Sequence, residues 1–235
     1  MKPIDTILFD FGGTLDADGV AWKERFHALY RAEGLDLTAE GFAPVFYAAD
    51  DPLVGGLSRA AGLTETARRL ADNLEAELAR RGLSGPDAER GERVAARFLA
   101  EAGAVLARNR AALDTLSQHC RLGVVSNFYG NLEAVCASAG LSPLLGAFAD
   151  SEVVGAEKPD PAIFRAALDA LGADPATTLY VGDSLRRDAE GARRSGLGFV
   201  WVASEAARSA EAEAAAAQPI RATVSALPQI LGVLA

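Results

Sequence analysis

The chain has 235 residues, of which 50% are hydrophobic and 23% are charged, a balance typical of a folded globular protein. A formal net charge of −9 argues against nucleic acid as a partner, because nucleic-acid binders neutralise phosphates with basic patches. The sequence has neither a basic leader nor an apolar run of about 20 residues, so we predict a cytoplasmic protein that does not interact with a membrane.

Short apolar runs predict five strands that are buried on both faces. These runs are Thr6–Phe9, Leu122–Val125, Leu179–Val181, Phe199–Val202 and Ala222–Val224. Helical patterns lie among the later runs, at Leu132–Ala139, Ala162–Leu171 and Arg187–Ser195. Strands that alternate with helices pair in parallel through crossovers. We therefore predict an α/β fold whose core is a Rossmann-like, doubly wound parallel sheet.

The stretch between the first two strands breaks this rhythm. It contains helical patterns at Trp22–Glu33, Glu65–Arg80 and Ala88–Arg108, separated by loops at Asp50–Gly56 and Gly82–Pro86. The stretch is too long for one crossover, so we predict an inserted all-helical cap domain at 17–106. The core domain then comprises 1–16 and 107–235, and a helix near Asn109–His119 returns the chain to the sheet.

Polar residues follow several predicted strands. Asp10 and Ser126 end the first two strands, Asp183 ends the strand at Leu179–Val181, and Lys158 precedes a helix. Ligands of parallel sheets bind at the carboxyl ends of the strands, so these residues should share one crevice. There Asp10 can attack phosphorus, and Asp10 and Asp183 offer the oxygen ligands that Mg²⁺ prefers.

Each of these residues has an ordinary structural interpretation when it is taken alone. An Asp after a strand is usually a helix cap or a turn residue, and a Lys before Pro is usually a solvated charge. Only the joint order indicates a site. In that site Lys158 would offset negative charge, Ser126 and the Asn127 amide would hold a phosphoryl oxygen, and Asp188 would support the metal.

Four segments together resemble the motifs of the haloacid dehalogenase superfamily. They are Asp10-Phe11-Gly12-Gly13-Thr14-Leu15, Val124-Val125-Ser126-Asn127, the segment from Lys158 to Phe164, and Val181-Gly182-Asp183-Ser184 continuing through Asp188 to Leu197. The resemblance implies Asp10 as the nucleophile and Ser126 and Lys158 as phosphoryl-binding catalytic groups. It also implies Gly13, Thr14 and Asn127 as substrate contacts. The implied cofactor is Mg²⁺, held by Asp10, the Gly12 carbonyl and Asp183, with Asp188 as an accessory acid.

Gly12 departs from the family pattern, which in phosphatases has a second Asp that protonates the leaving alcohol. Loss of such a group typically costs ~10²–10⁴-fold in rate. Three compensations stay open. Asp16 or Asp18 replaces the missing acid, a cap residue such as Lys23, His27 or Arg59 supplies the proton, or the leaving group needs none.

We predict a hydrolase, a Mg²⁺-dependent phosphatase of a small phosphorylated metabolite, acting as a monomer or a homodimer. A metal-free 2-haloacid dehalogenase is the main alternative, since those enzymes also lack the second Asp. A phosphonate-cleaving enzyme would need a Schiff base on a cap lysine, for which Lys23 is the candidate. A silent member that only binds metal and a phosphorylated ligand is the remaining alternative.

Overall fold

Six parallel strands form the central sheet of this computed structural model, which describes residues 3–85 and 87–234. The strands are β1 Thr6–Phe9, β2 Arg121–Ser126, β3 Ala147–Asp150, β4 Thr178–Gly182, β5 Gly198–Val202 and β6 Ile220–Val224. Their order is β3-β2-β1-β4-β5-β6, and every neighbouring pair is parallel. The direction of winding reverses between β1 and β4, where doubly wound folds bind their ligands. The predicted fold class is confirmed.

The five predicted strands are all present, but β3 was not predicted. Its sequence, Ala147-Phe148-Ala149-Asp150, lacks the β-branched residues that signal a strand. It pairs with Gly123–Ser126 at one edge of the sheet and is mostly buried. Pairing with β2 and burial therefore stabilise this strand, and a four-residue sequence pattern does not reveal either of them.

Helices surround the sheet. Those of the described residues are α1 Trp22–Ala32, α2 Ala39–Asp50, α3 Leu63–Arg80, α4 Ala88–Ser117, α5 Leu132–Ser138, α6 Ser151–Val154, α7 Pro161–Leu171, α8 Glu190–Ser195, α9 Glu205–Ala210, α10 Ala212–Ala216 and α11 Ile230–Leu234. A separate helical turn at Leu185–Ala189 precedes α8 within the stretch predicted as one helix. Among residues 3–85 and 87–234, none of the helices combines the length and hydropathy that a membrane span requires.

Four of these helices, α1 to α4, lie between β1 and β2. Helix α2 was not predicted, because Pro44 interrupts its pattern, yet Thr38 caps it by accepting a hydrogen bond from the Gly41 amide at 3.2 Å. The helices predicted at Ala88–Arg108 and Asn109–His119 form one continuous helix, α4. The proposed domain boundary at 106/107 thus falls inside a helix, and the division into core and cap stays a prediction. The predicted loop Gly82–Pro86 is described as far as Gly85.

An aromatic cluster joins these four helices to the carboxyl end of the sheet. The Trp22 ring of α1 lies edge-on to Phe98 of α4, at 4.9 Å, and to Phe128 after β2, at 5.9 Å. Phe26 stacks on Phe98 at 4.6 Å. All four side chains are buried, so the apolar core continues from the sheet into the helices.

Candidate active site

Asp10 follows β1 directly and is buried. The Ser126 hydroxyl, at the end of neighbouring β2, donates to Asp10 Oδ1 at 2.7 Å, and the Lys158 ammonium donates to the same oxygen at 2.7 Å. The parallel register pairs Phe9 with both Val124 and Val181, so the strand ends meet at one edge. The structure therefore brings together three residues that lie up to 148 positions apart.

Lys158 is buried among acceptors. Besides Asp10, its ammonium donates to Asp188 Oδ1 at 2.8 Å and to the Tyr180 hydroxyl at 3.0 Å. Burial opposes its charge, but the carboxylates of Asp10 and Asp188 raise the pKa of Lys158 above its ordinary value. Lys158 is therefore a fixed positive charge beside Asp10.

Three carboxylates cluster at this point. Asp10, Asp183 and Asp188 each offer an oxygen, and these oxygens lie within 4.8 Å of one another. Burial and the negative charges of Asp10 and Asp188 raise the pKa of Asp183 well above its usual range. Among the described residues, no side chain or amide donates to Asp10 Oδ2 or to the Asp183 carboxylate. Such hard, unpaired oxygen donors fit Mg²⁺, which takes carboxylates and water as ligands.

The glycines of two motifs make room for this cluster. Gly13 has a φ of +93°, and a β-carbon there would lie 2.4 Å from Asp183 Oδ2. A β-carbon at Gly182 would lie 2.4 Å from Asp188 Oδ2. Only glycine at these two positions allows the carboxylates to approach the backbone this closely.

The other predicted site residues have different surroundings. The Asn127 side chain accepts from the Lys158 amide at 2.7 Å and so connects the two loops. The Gly13 amide donates to Asp16 Oδ1 at 2.8 Å and is therefore already engaged. Thr14 is fully buried, and its hydroxyl has no hydrogen-bond partner among the described residues. The predicted substrate contacts of Gly13 and Thr14 stay untested.

A cavity of about 180 Å³ opens beside Asp10, between the sheet and the helices. Its lining residues in the described part of the chain are Asp10, Gly12, Ala21, Trp22, Lys23, Glu24, Phe46, Tyr47, Asp50, Ser126, Asn127, Phe128, Tyr129, Lys158 and Arg187. Gly12 has an ordinary φ of −74°, so the backbone does not require glycine there. A β-carbon at Gly12 would lie 3.4 Å from Trp22 Nε1, and the indole thus borders the place of a side chain at position 12.

The two aspartates considered as substitutes for the missing acid are engaged elsewhere. Asp16 is fully buried, accepts from Trp22 Nε1 at 2.7 Å and pairs with Arg25 at 2.8 Å. Asp18 pairs with Arg108 at 2.6 Å on the surface. Neither lines the cavity as the described residues define it.

Of the three cap residues considered as proton donors, only Lys23 lies at the cavity. His27 is held by the Leu37 carbonyl at 2.8 Å, and Arg59 is exposed; neither belongs to the cavity lining formed by the described residues. Lys23 does line the cavity, next to Glu24 and Tyr47. Burial lowers the pKa of Lys23, but Glu24 and Tyr47 together outweigh it and raise the pKa above its ordinary value.

Five residues near Asp10 were missed by sequence reasoning. Trp22, Asp50, Tyr129 and Arg187 line the cavity, and the Tyr180 hydroxyl holds Lys158 and donates to the Val125 carbonyl at 2.9 Å. Arg187 stands next to Asp188 in the fourth motif, so its place in that segment was a usable signal. The other four residues lie near Asp10 only because of tertiary packing, which no local sequence pattern indicates.

Comparisons with known proteins identify a matching family and several relatives. The family model for haloacid dehalogenase-like hydrolases matches residues 4–196. Phosphoserine phosphatase from Thermus thermophilus is 33% identical over 192 residues, which are 80% of this chain and 66% of that enzyme. The bovine haloacid dehalogenase-like hydrolase domain-containing protein 3, from Bos taurus, is 41% identical over 83 residues, which are 35% of this chain and 33% of that protein.

The fold has counterparts among solved structures. The magnesium-bound putative hydrolase YfnB from Bacillus subtilis has a TM-score of 0.57 and 22% identity, with 99% of each chain covered. Identity this low shows a shared fold only. The chain spans a third to about two thirds of the length of these two curated relatives.

Proposed function

The chain belongs to the haloacid dehalogenase-like hydrolases, and from that premise we propose that it is a Mg²⁺-dependent phosphatase of a small phosphorylated metabolite. One observation carries the proposal. Asp10 lines a cavity, shares its Oδ1 with Ser126 and Lys158, and lies in a cluster with two further carboxylates. A nucleophile, a fixed cation and a set of metal donors therefore meet at one opening.

The chemistry begins at Asp10. Its carboxylate attacks phosphorus to form an aspartyl-phosphate, which water then hydrolyses. Lys158 and Ser126 hold Oδ1, orient the carboxylate and offset the negative charge of the incoming phosphoryl group. Asn127 keeps the loop of Lys158 in place through its hydrogen bond to the Lys158 amide.

Asp10 and Asp183 would hold Mg²⁺, together with the Gly12 carbonyl that the family resemblance implies. Bound Mg²⁺ neutralises negative charge on the carboxylates and on the transferring phosphoryl group. Three clustered carboxylates against the single ammonium of Lys158 favour such a cation. Asp188 already accepts from Lys158 and from the Ser184 amide at 2.8 Å, so its role is to support the cluster.

The relatives support phosphate esters as substrates. The Thermus thermophilus relative is named a phosphoserine phosphatase, which acts on a small metabolite. The cavity of about 180 Å³ suits a substrate of that size class. The expected cytoplasmic location, the absence of nucleic-acid and membrane partners, and the monomeric or homodimeric state stay predictions.

The alternatives have less support. A dehalogenase needs no metal, and Lys158 would then pair with Asp10 and Asp188 while no side chain or amide of the described residues donates to the Asp183 carboxylate. A phosphonate-cleaving enzyme needs a neutral lysine amine to form a Schiff base. Lys23 lines the cavity, but its raised pKa keeps it protonated.

Phosphate release from a panel of small phosphate esters, with Mg²⁺ and with EDTA, tests the proposal. We expect turnover that requires Mg²⁺ and is abolished in Asp10→Asn, whereas Asp169→Asn, an exposed carboxylate of α7, keeps full activity. Halide release from a 2-haloacid in EDTA would instead identify a dehalogenase. Binding of Mg²⁺ and phosphate without turnover would identify a silent member.

A further inference from the structure

The reaction proposed above leaves one chemical role without a residue. An alkyl leaving oxygen needs a proton, and Gly12 has no side chain to donate one. Trp22 borders the space beside Gly12, and its indole N–H donates a hydrogen bond to Asp16. A proton donor must therefore reach the cavity from another element.

The ionisable groups that line the cavity are the candidate proton donors, and their acidity and exposure differ. The raised pKa values of Lys23 and Arg187 make both cations weak acids, and burial makes the Tyr129 hydroxyl a weak acid by raising its pKa well above its usual range. Glu24 is more than half exposed and pairs with Lys23 at 3.2 Å. Among the carboxyl groups of the described lining residues, Asp50 is the half-buried one besides Asp10.

We propose, on the basis of the phosphatase function, that Asp50 at the end of α2 donates the proton to the leaving oxygen. Asp50 and Asp10 line the same cavity, one from the helices and one from the sheet. Asp50 would thus supply, from the helical side of the cavity, the acid-base group that position 12 lacks.

The surroundings of Asp50 are ordered. The Tyr129 hydroxyl donates to Asp50 Oδ1 at 2.5 Å, and the Gly55 amide in the next turn donates to the Tyr129 carbonyl at 3.3 Å. Asn73 of α3 donates to the Ala49 carbonyl at 2.9 Å and holds the end of α2. Tyr129 therefore holds the carboxyl itself, and α3 holds the end of the helix that carries it.

The charge environment of Asp50 suits proton transfer. Burial raises the pKa of Asp50 to about 6, with a smaller upward effect from Asp51, while the Tyr129 hydrogen bond and the Arg187 charge oppose the rise. Lys23 and Glu24 of α1 line the same cavity. A pKa near the working pH lets one carboxyl both give and accept a proton.

The proposed steps balance. Asp10 forms a bond to phosphorus, the bond from phosphorus to the ester oxygen breaks, and that oxygen takes the proton of Asp50 and leaves as the alcohol. The Asp50 carboxylate then removes a proton from water, which attacks phosphorus and releases inorganic phosphate. Asp10 is regenerated as a carboxylate and Asp50 as an acid, so one ester and one water yield one alcohol and one phosphate.

A comparison of leaving groups tests the proposal. Asp50→Asn should lower kcat/KM for an alkyl phosphate by ~10²–10⁴-fold, and far less for p-nitrophenyl phosphate, whose anion departs without a proton. Asp51→Asn removes an exposed carboxylate one residue away and should leave the dependence on leaving group unchanged. Equal losses on both substrates, or no loss on either, would overturn the role of Asp50.

A second variant tests the same role without removing the carboxyl. Tyr129→Phe deletes the hydrogen bond that lowers the Asp50 pKa, so the pKa should rise. The acid form is needed in the first step, and kcat/KM for the alkyl phosphate should therefore fall as the pH rises through the Asp50 pKa. In Tyr129→Phe this fall should move to higher pH, and an unmoved profile would contradict the proposal.

The two proposals fail differently. A wild-type protein that releases no phosphate from either ester contradicts the phosphatase function itself. The other outcome is a wild-type protein that hydrolyses both esters, an inactive Asp10→Asn variant, and an Asp50→Asn variant that loses equal activity on both esters or none on either. That outcome contradicts only the role of Asp50.

Discussion

At the scale of single residues, the two glycines after Asp10 have different reasons to be there. Gly13 has a left-handed backbone, and its hydrogen atoms face Asp183 at a distance that no β-carbon tolerates. Gly12 has ordinary dihedral angles and open space up to the Trp22 ring. Gly13 is therefore required by the fold, whereas the missing side chain at Gly12 is a difference in chemistry.

This contrast predicts the effects of two alanine substitutions. Gly13→Ala should lower the free energy of unfolding by at least ~1–3 kcal/mol, the usual cost of a strained backbone conformation, and should displace Asp183. Gly12→Ala should change it by less than about 1 kcal/mol, because its backbone accepts alanine. Urea denaturation of both variants measures the difference, and equal losses would show that the left-handed backbone at Gly13 is not the cause.

At the scale of elements, a buried ion pair attaches the first inserted helix to the sheet. Arg25 of α1 pairs with Asp16, in the loop after β1, at 2.8 Å and donates to the Phe98 carbonyl of α4 at 3.3 Å. Its guanidinium also lies 4.1 Å from the Phe98 ring centre. One side chain thus holds together the loop that follows Asp10 and two of the four helices.

Removal of this arginine should be costly. Arg25→Met leaves the Asp16 carboxylate buried without its ion pair, which typically lowers the free energy of unfolding by ~3–5 kcal/mol. The matched control is Arg108→Met, which breaks the exposed pair with Asp18 and should cost ~0–1 kcal/mol. Urea denaturation compares the two variants. Similar decreases in the free energy of unfolding would mean that burial does not determine how much each ion pair stabilises the protein.

At the scale of the whole molecule, the parallel sheet and the four inserted helices share the site. The sheet contributes Asp10, the proposed nucleophile, and the carboxylates that cluster with it at the carboxyl edge. The helices close the cavity with Trp22, Tyr47 and Asp50. The cavity beside Asp10 is therefore lined both by the sheet and by the inserted helices.

The carboxylate cluster predicts how Mg²⁺ acts on global stability. A ligand at 100 times its Kd stabilises the folded state by ~2.7 kcal/mol, so Mg²⁺ should raise the Tm of the protein. Asp183→Asn should lose this increase and, without Mg²⁺, should be at least as stable as the wild type, since like charges no longer repel. Asp169→Asn is the control. An undiminished Mg²⁺ effect in Asp183→Asn would contradict the metal site.

The sequence by itself determined the α/β class, five of the six strands and the meeting of Asp10, Ser126, Lys158 and Asp183. It could do so because buried parallel strands are continuously apolar and their carboxyl ends lie at one edge. The same local reasoning missed β3, which lacks β-branched residues, and α2, whose pattern Pro44 interrupts.

Only the tertiary structure decided which helix residues line the cavity beside Asp10. Asp50 and Tyr129 are 79 positions apart, and Trp22 meets Asp16 and Phe98 through packing between helices and sheet. Strand periodicity constrains where strands end, but it carries no information on which helix face closes over them. Helix packing depends on the shapes of many buried side chains at once, so the helix residues that line the cavity beside Asp10 could be named only from the folded chain.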